Sequence, residues 1–339
     1  MSELIHLLPP VPRWFKANLH THTNISDGAL TPQQAKDLYK GKGYSILAIT
    51  DHNLMVDHSE LSGEDFLMLT GGEFNINTET YLPSKGRHGK TYHLNMIAKD
   101  PHNVWQPFPM VRIREASVPY VAKSRPEAMS REYSVEAVNA IIARANEKGF
   151  LVTYNHPVWS MQEYPDYAGL EGLWSMEICN YGSVMEGHPE HNGGIYQTML
   201  RLGKRICPVA ADDMHSPDRA FAGAWCMVGA EKLEYDAVIR ALERGDFYAS
   251  TGPEIYSLTM EGPVVRITCS DARSVVLEVN GRRCKVAFPE GADGLLRQAE
   301  FDLSEWLSYE KENPDAFFRL TVNGPYGHYA ATRGYWMND

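Results

Sequence analysis

A repeated grammar between residues 14 and 245 most narrows the fold. Short apolar runs rich in β-formers alternate with stretches whose apolar residues recur at helical spacing. Residues 14–23, 44–50, 66–70, 91–98, 150–154, 173–178, 206–211 and 221–228 read as strands. Residues 31–40 read as a helix, with Thr31 as N-cap, Pro32 at N1 and Gln34 completing a capping box. Residues 134–149, 195–202 and 236–244 read the same way. Such alternation predicts right-handed β-α-β units and a parallel sheet, closed or nearly closed into a barrel of about seven strands. Functional side chains then collect where strands end.

Residues 18–28 read Asn-Leu-His-Thr-His-Thr-Asn-Ile-Ser-Asp-Gly. Strand side chains repeat every two residues, so His20 and His22 share a face ~6.6 Å apart. Two imidazoles so placed can converge on one divalent ion at ~2.1 Å from each nitrogen. Asp27, just past the strand, can turn an oxygen ligand back to the same place. The ordinary alternative is two surface histidines beside a turn aspartate. The rest of the chain argues against it, because His52, Glu73, His156, Asp213 and His215 all sit at or just beyond predicted strand ends. His93 is the exception, falling early in its strand. Together these residues predict a multinuclear metal site.

Composition narrows the function classes. The 339 residues suggest about two domains, and 43% hydrophobic with 22% charged residues is ordinary for a globular chain. A net charge of −11 disfavours nucleic acid as a partner, but bound metal ions would still admit a phosphate ester. Five scattered cysteines without a Cys-x-x-Cys read as buried reduced thiols. Pro9 and Pro10 cut off the short run at 5–8, so no signal peptide is expected, and no stretch is apolar enough to span a membrane. The expected setting is cytoplasmic and the expected partner a small-molecule substrate. The oligomeric state is not written in the sequence.

The ordered set His20-Thr21-His22 with Ser26-Asp27-Gly28, Ile49-Thr50-Asp51-His52-Asn53, Gly71-Gly72-Glu73, Asn155-His156-Pro157 and Asp213-Met214-His215 resembles the motifs of the PHP (polymerase and histidinol phosphatase) superfamily over roughly 16–253. Residues 241–253, Ala-Leu-Glu-Arg-Gly-Asp-Phe-Tyr-Ala-Ser-Thr-Gly-Pro, look like its carbaryl-hydrolase-like branch. The resemblance implies a distorted seven-stranded (β/α) barrel with two or three divalent ions on its rim. It implies His20, His22, Glu73 and Asp213 around the first ion and Glu73, His93 and His156 around the second. Asp27, His52 and His215 would hold a third. Asp212 competes with Asp213, and His88 with His93; Asp213 is preferred for its spacing from His215, and His93 for its place in a strand. Imidazole and carboxylate suit Zn²⁺, Mn²⁺ or Fe. Two ions ~3.5–4 Å apart lower the pKa of a shared water from ~15.7 towards ~7, giving a hydroxide nucleophile. His215 is a candidate proton donor to the leaving group.

Arg219 is a candidate clamp for a phosphate or carboxylate. Lys85, Arg87 and Lys90 read as a solvated loop, His188 and His191 as outlying groups, and His58 and His102 as surface residues. Residues 99–133 form a long Pro-rich insertion, a lid or binding loop, whose Trp105 and Phe108, with Trp159 and Tyr164, could line an aromatic pocket. From residue 254 short alternating runs and turns such as Asn280-Gly281 predict a small antiparallel β-sandwich-like domain over 254–339, joined through 248–253 to a hydrolase barrel over 1–253. The expected activity is a metal-dependent phosphoesterase. Carboxylic ester or carbamate hydrolysis and a non-catalytic metal-binding module are the alternatives.

Overall fold

In the computed structural model, which describes residues 3–11, 13–78, 89–290, 294–310 and 313–337, Thr31 caps a helix over Pro32–Gly41. Thr31 Oγ1 accepts from the Gln34 N–H at 3.3 Å, and Gln34 Oε1 accepts from the Thr31 N–H at 2.9 Å. The strands up to residue 250 are β1 (Leu4–His6), β2 (Arg13–Asn18), β3 (Ile46–Ile49), β4 (Leu67–Asn77), β5 (Thr91–Ala98), β6 (Trp105–Gln106), β7 (Arg125–Pro126), β8 (Phe150–Tyr154), β9 (Ser175–Asn180), β10 (Cys207–Ala211), β11 (Trp225–Ala230) and β12 (Phe247–Ser250). Longer helices cover Val135–Glu147, Gly193–Arg201 and Tyr235–Arg244.

These make a mixed α/β fold around one large sheet, ordered β10-β9-β8-β5-β4-β3-β2-β11-β12 and continuing into C-terminal strands. The sheet is not all parallel. β2, β3 and β4 pair parallel, as do β8, β9 and β10, but β5 is antiparallel to both neighbours and β11 to β2. The β4–β5 ladder opens at Asn77↔Thr91, directly where the two strands meet their connection, so the pair is a hairpin and not a crossover unit. A single parallel bridge, Thr21↔Met214, ties the chain beyond β2 to the chain beyond β10. No closed ladder forms among the described residues. The sheet nevertheless curls, since Ala17, Ile46, Ala48, Leu69, Ile97, Leu151, Val209 and Val228 share one buried cluster with Val238, Ile239 and Leu242 of the Tyr235–Arg244 helix.

Two boundaries move for physical reasons. Gly71 and Gly72, read above as ending a strand, lie inside β4. A Cβ at Gly72 would stand 2.7 Å from the Leu54 carbonyl oxygen, so glycine is there for close approach. The strand expected from 221 starts at Trp225, because the amides of Ala222, Gly223 and Ala224 all turn to the Asp212 carboxylate at 2.8–3.0 Å.

Beyond residue 253 the chain is antiparallel: β13 (Ile255–Glu261), β14 (Val264–Ala272), β15 (Ser274–Val279), β16 (Arg283–Ala287), β17 (Leu296–Asp302), β18 (Phe317–Asn323) and β19 (Tyr329–Ala331). β1 adds to β13, β14 and β17 as a four-stranded sheet, while β19 pairs with β12 and extends the large one. A short helix, Ser304–Glu310, interrupts the strands. At the joint, Ser250 Oγ donates to Pro253 O at 2.7 Å and Tyr248 Oη accepts from Ile255 N at 3.0 Å. Among the described residues no helix is long and apolar enough to cross a membrane.

Asp212 is thus a buried structural carboxylate, which also accepts from Tyr39 Oη at 2.9 Å. Asp212→Ala strands these donors and is expected to cost about 2–4 kcal/mol in urea unfolding. A loss under ~1 kcal/mol would show that the 212–224 turn is held by something else.

Candidate metal centre

Thr21 N lies 3.2 Å from Thr50 Oγ1, and Asp213 N donates to the His20 carbonyl at 3.0 Å. These contacts put the segments after β2, β3 and β10 side by side and aim their imidazoles at one point. His20 Nε2 lies 3.2 Å from His22 Nε2, 3.2 Å from Asp213 Oδ1 and 3.3 Å from Glu73 Oε1. His22 Nε2 lies 3.0 Å from Asp213 Oδ1 and 3.5 Å from Glu73 Oε2. Metal–ligand bonds of ~2.1 Å at right or tetrahedral angles give edges of ~3.0–3.4 Å, which is the spacing found.

Glu73 is the hub. Its Oε1 lies 3.0 Å from His93 Nδ1, 3.1 Å from His156 Nε2 and 2.8 Å from Asn155 Nδ2, and its Oε2 lies 3.0 Å from His52 Nδ1. The antiparallel run of β5 explains His93, because it brings the start of that strand to the edge where β4 and β8 end. On the outer side Asp27 stands 3.5 Å from His52, 3.4 Å from His215 and 3.7 Å from His22. All nine donors named from the sequence therefore gather in overlapping groups. The groups also place His156 with His20 and Asp213, so the donors do not divide as neatly as three separate sets. No cysteine joins them among the described residues.

The donor chemistry fits divalent cations. His22 Nδ1, Glu73 Oε2 and Asp213 Oδ1 are buried and make no aligned hydrogen bond, their near neighbours being other donors of the cluster at 3.0–3.7 Å, an arrangement that costs roughly 1–3 kcal/mol per group unless something fills it. Burial alone would discourage ionisation of Glu73 and Asp213. The imidazoles around them outweigh it and hold both carboxyls well below the usual range. His22 is driven down to about 3 by burial and by His215 and His52, so the ring is neutral and one nitrogen's lone pair is free for a metal. In His156 burial is outweighed by the Glu73 hydrogen bond, and the pKa rises to about 9. In His215 burial is likewise outweighed, here by Asp27 and Asp213, and the pKa also rises to about 9.

A supporting layer went unread in the sequence. Glu177, fully buried mid-strand, accepts from His20 Nδ1 at 2.7 Å, from His156 N at 3.0 Å and from Asn180 Nδ2 at 2.9 Å. That contact puts the His20 proton on Nδ1 and leaves Nε2 for an ion. Asp51 accepts from the amides and hydroxyls of Thr23 and Ser26 at 2.6–3.2 Å, and Glu190 from the amides of Val158 and Trp159. Asp213 (φ 51°) and His156 (φ 23°) occupy positive-φ backbone that non-glycine residues rarely adopt. Only the surrounding contacts hold them there.

A cavity of ≈ 700 Å³ opens over the donors. Arg219 lines it, as do Arg112, Arg114 and Arg131 from the insertion. Other expectations change. Of the four aromatics only Trp159 faces the cavity; Trp105 and Phe108 are buried in the core, and Tyr164 is exposed away from it. His58 is buried, not superficial, against the Tyr120 ring, while exposed His102 pairs with Asp57 at 2.8 Å. Lys90 is tied to Glu163 and Asp166, and exposed His188 and His191 line no part of the cavity. Cys284 is exposed, unlike the other four cysteines. Lys85, Arg87 and His88 lie outside the described residues.

No protein-family model matches the chain, and no curated protein matches it. Among solved structures, a two-domain protein from Bacteroides vulgatus containing a predicted PHP-like metal-dependent phosphoesterase is similar over 98% of this chain and 90% of its own, at 14% identity and TM-score 0.47. A candidate metal-dependent phosphoesterase from Bifidobacterium adolescentis covers 62% of this chain and 89% of its own, at 17% identity and TM-score 0.38. An amidohydrolase from Chromobacterium violaceum, with bound sulfate and no metal, covers 60% of this chain and 89% of its own, at 16% identity and TM-score 0.38.

Two measurements probe the centre. A cation must displace the protons of the donors whose pKa is raised, His20, His52, His156 and His215, so metal affinity in chelator competition should rise with pH up to at least about 9. Melting of the metal-free protein should run the other way. The His156 contribution is complete below the unfolded value of ~6.5 and is lost as pH rises through about 9. An affinity independent of pH would contradict the protonated apo centre. Separately, Glu177→Ala should weaken metal binding ~10–100-fold with less effect from Glu177→Gln, and equal affinity in both variants and wild type would remove Glu177 from the supporting layer.

Proposed function

We propose that the chain is a metal-dependent hydrolase of the PHP type that cleaves small phosphate esters, with the curled sheet serving as a distorted seven-stranded (β/α) barrel. The observation that carries this reading is the convergence of nine imidazole and carboxylate donors, three of their atoms buried without an aligned hydrogen bond, beneath a cavity lined by arginines. Two or three ions, zinc, manganese or iron, suit the donor set.

Once bound, the ions supply an acidified water and polarise the phosphoryl oxygen. The protein's own groups do the rest. His20, His22, Glu73 and Asp213 hold the first position; Glu73 reaches across to the His93 and His156 side. Arg219 binds phosphoryl oxygens and offsets charge that grows during displacement. His215 has two uses. With Asp27 and His52 it can hold a third ion; left unmetallated, its raised pKa keeps a proton ready for the leaving oxygen.

Phosphate esters are preferred over carboxylic esters and carbamates because the cavity wall is arginine-rich and offers one aromatic face, Trp159. A non-catalytic module would have shed donors, and all nine are in place. Metal-loaded protein is expected to hydrolyse p-nitrophenyl phosphate faster than p-nitrophenyl acetate, and His156→Ala to lower that turnover at least ~100-fold. The reverse preference would select the ester reading. Turnover of neither, with metal content verified, would leave the non-catalytic module.

A further inference from the structure

Four arginines line the cavity, yet outside the metal donors its lining holds one acid, Glu186. The chain as a whole has the opposite bias, 43 acidic against 32 basic residues. None of the four guanidinium groups has a carboxylate partner among the described residues, whereas Arg144, Arg244, Arg266, Arg283, Arg297 and Arg319 elsewhere are paired with acids. Unpaired cations concentrated over one cavity of an acidic protein indicate an anion-binding wall.

The arginines come from two places. Arg219 follows the donor His215 by four residues. Arg112, Arg114 and Arg131 belong to the insertion, which supplies no metal donor. That insertion is seated on the body, not loose. Met110, Tyr120 and Val121 pack on Ile25, Leu54 and Val56, and Gln106 accepts from Met55 N at 3.1 Å and donates to Asn53 O at 3.3 Å. Arg131 is further fixed over the Phe108 ring at 3.7 Å and donates to Pro109 O at 2.9 Å. A phosphate monoester has three terminal oxygens. With the metal centre and Arg219 on these oxygens, little acceptor capacity is left for three more guanidinium groups. The ≈ 700 Å³ volume has room for an organic spacer beyond the phosphoryl group.

Resting on the phosphoesterase reading, we propose that Arg112, Arg114 and Arg131 form a distal anion subsite, so that the substrate is a phosphate ester carrying a second acidic group, carboxylate or phosphate, at its far end. The insertion is then the specificity element of the enzyme.

The test compares alkyl phosphates from propyl to hexyl with their ω-carboxylate and ω-phosphate counterparts, reading kcat/KM by phosphate release. At the best-fitting length an acidic end should raise kcat/KM at least about tenfold over the neutral end, the worth of one charge-assisted hydrogen bond. In Arg112→Gln/Arg114→Gln that ratio should fall towards one; both side chains are exposed, so folding is not at stake. Greater gain from carboxylate or from phosphate identifies the distal group, and either supports the subsite. A ratio near one at every length in wild type, or one unchanged in the double variant, overturns it. If no ester is cleaved, the phosphoesterase reading fails alone, because calorimetry with butylphosphonate and butane-1,4-bisphosphonate still decides the subsite: tighter binding of the bisphosphonate, lost in the double variant, upholds it, and equal binding sinks it.

Discussion

A single buried carboxylate, Glu73, sets the terms for everything around it. It lies 1% exposed within a strand, where an ionised group without partners would be prohibitively costly. Its partners are imidazoles from β5 and from the turns after β2, β3 and β8, so the groups that make its charge tolerable are the groups that can share a cation with it. The strand must pass through Gly71 and Gly72 to bring it there, close against the Leu54 carbonyl. Sheet order makes this convergence possible, because β3 and β5 flank β4 while β2 and β8 lie one strand further out on either side.

Around this hub the protein spends further buried carboxylates on its own backbone. Asp51, Glu190 and Asp212 accept main-chain amides from the loops that carry the donors, and Glu177 accepts both a main-chain amide and the His20 ring. Loops would otherwise be the most mobile part of such a fold. Here their amides are tied to fixed acceptors, and two donors, His156 and Asp213, are held in backbone conformations they would not choose freely. Rigidity at the centre is therefore built from hydrogen bonds that never reach the metal positions.

The sequence displayed the donors because each sits in a short local pattern next to a strand that its own composition announces. His20 and His22 are legible from a period of two, and Thr31 from its cap. What it hid depends on contacts distant in the chain. Glu177 looks like any acid within a strand, since only its neighbours β8 and β10 make that position buried on both faces. The direction of β5 is likewise decided by pairing with β4 and β8, which is why His93 looked misplaced when its strand was taken as parallel. The arginines of the insertion were passed over for a related reason. A charged loop residue is normally solvated, and nothing in Arg112 or Arg114 themselves reports that the loop is seated over a cavity.

Charge balance links the two halves of the site. The donor carboxylates Asp27, Glu73 and Asp213 are committed to cations or imidazolium groups and present little free negative charge upward. The wall above them is cationic within a chain of net charge −11. At physiological salt, charges act over about 8 Å, so an approaching anion is repelled by most of the surface and attracted only near this opening. Such a field makes the cavity mouth the favourable place for a polyanion to dwell. On the proposed function, the same field would give neutral esters no such advantage and leave them the uncharged lining, Trp159, Met110 and Val111 among it, and the metal centre. On the proposed function, selection by charge would begin before any bond is made, at a wall contributed mostly by a segment that takes no part in holding metal.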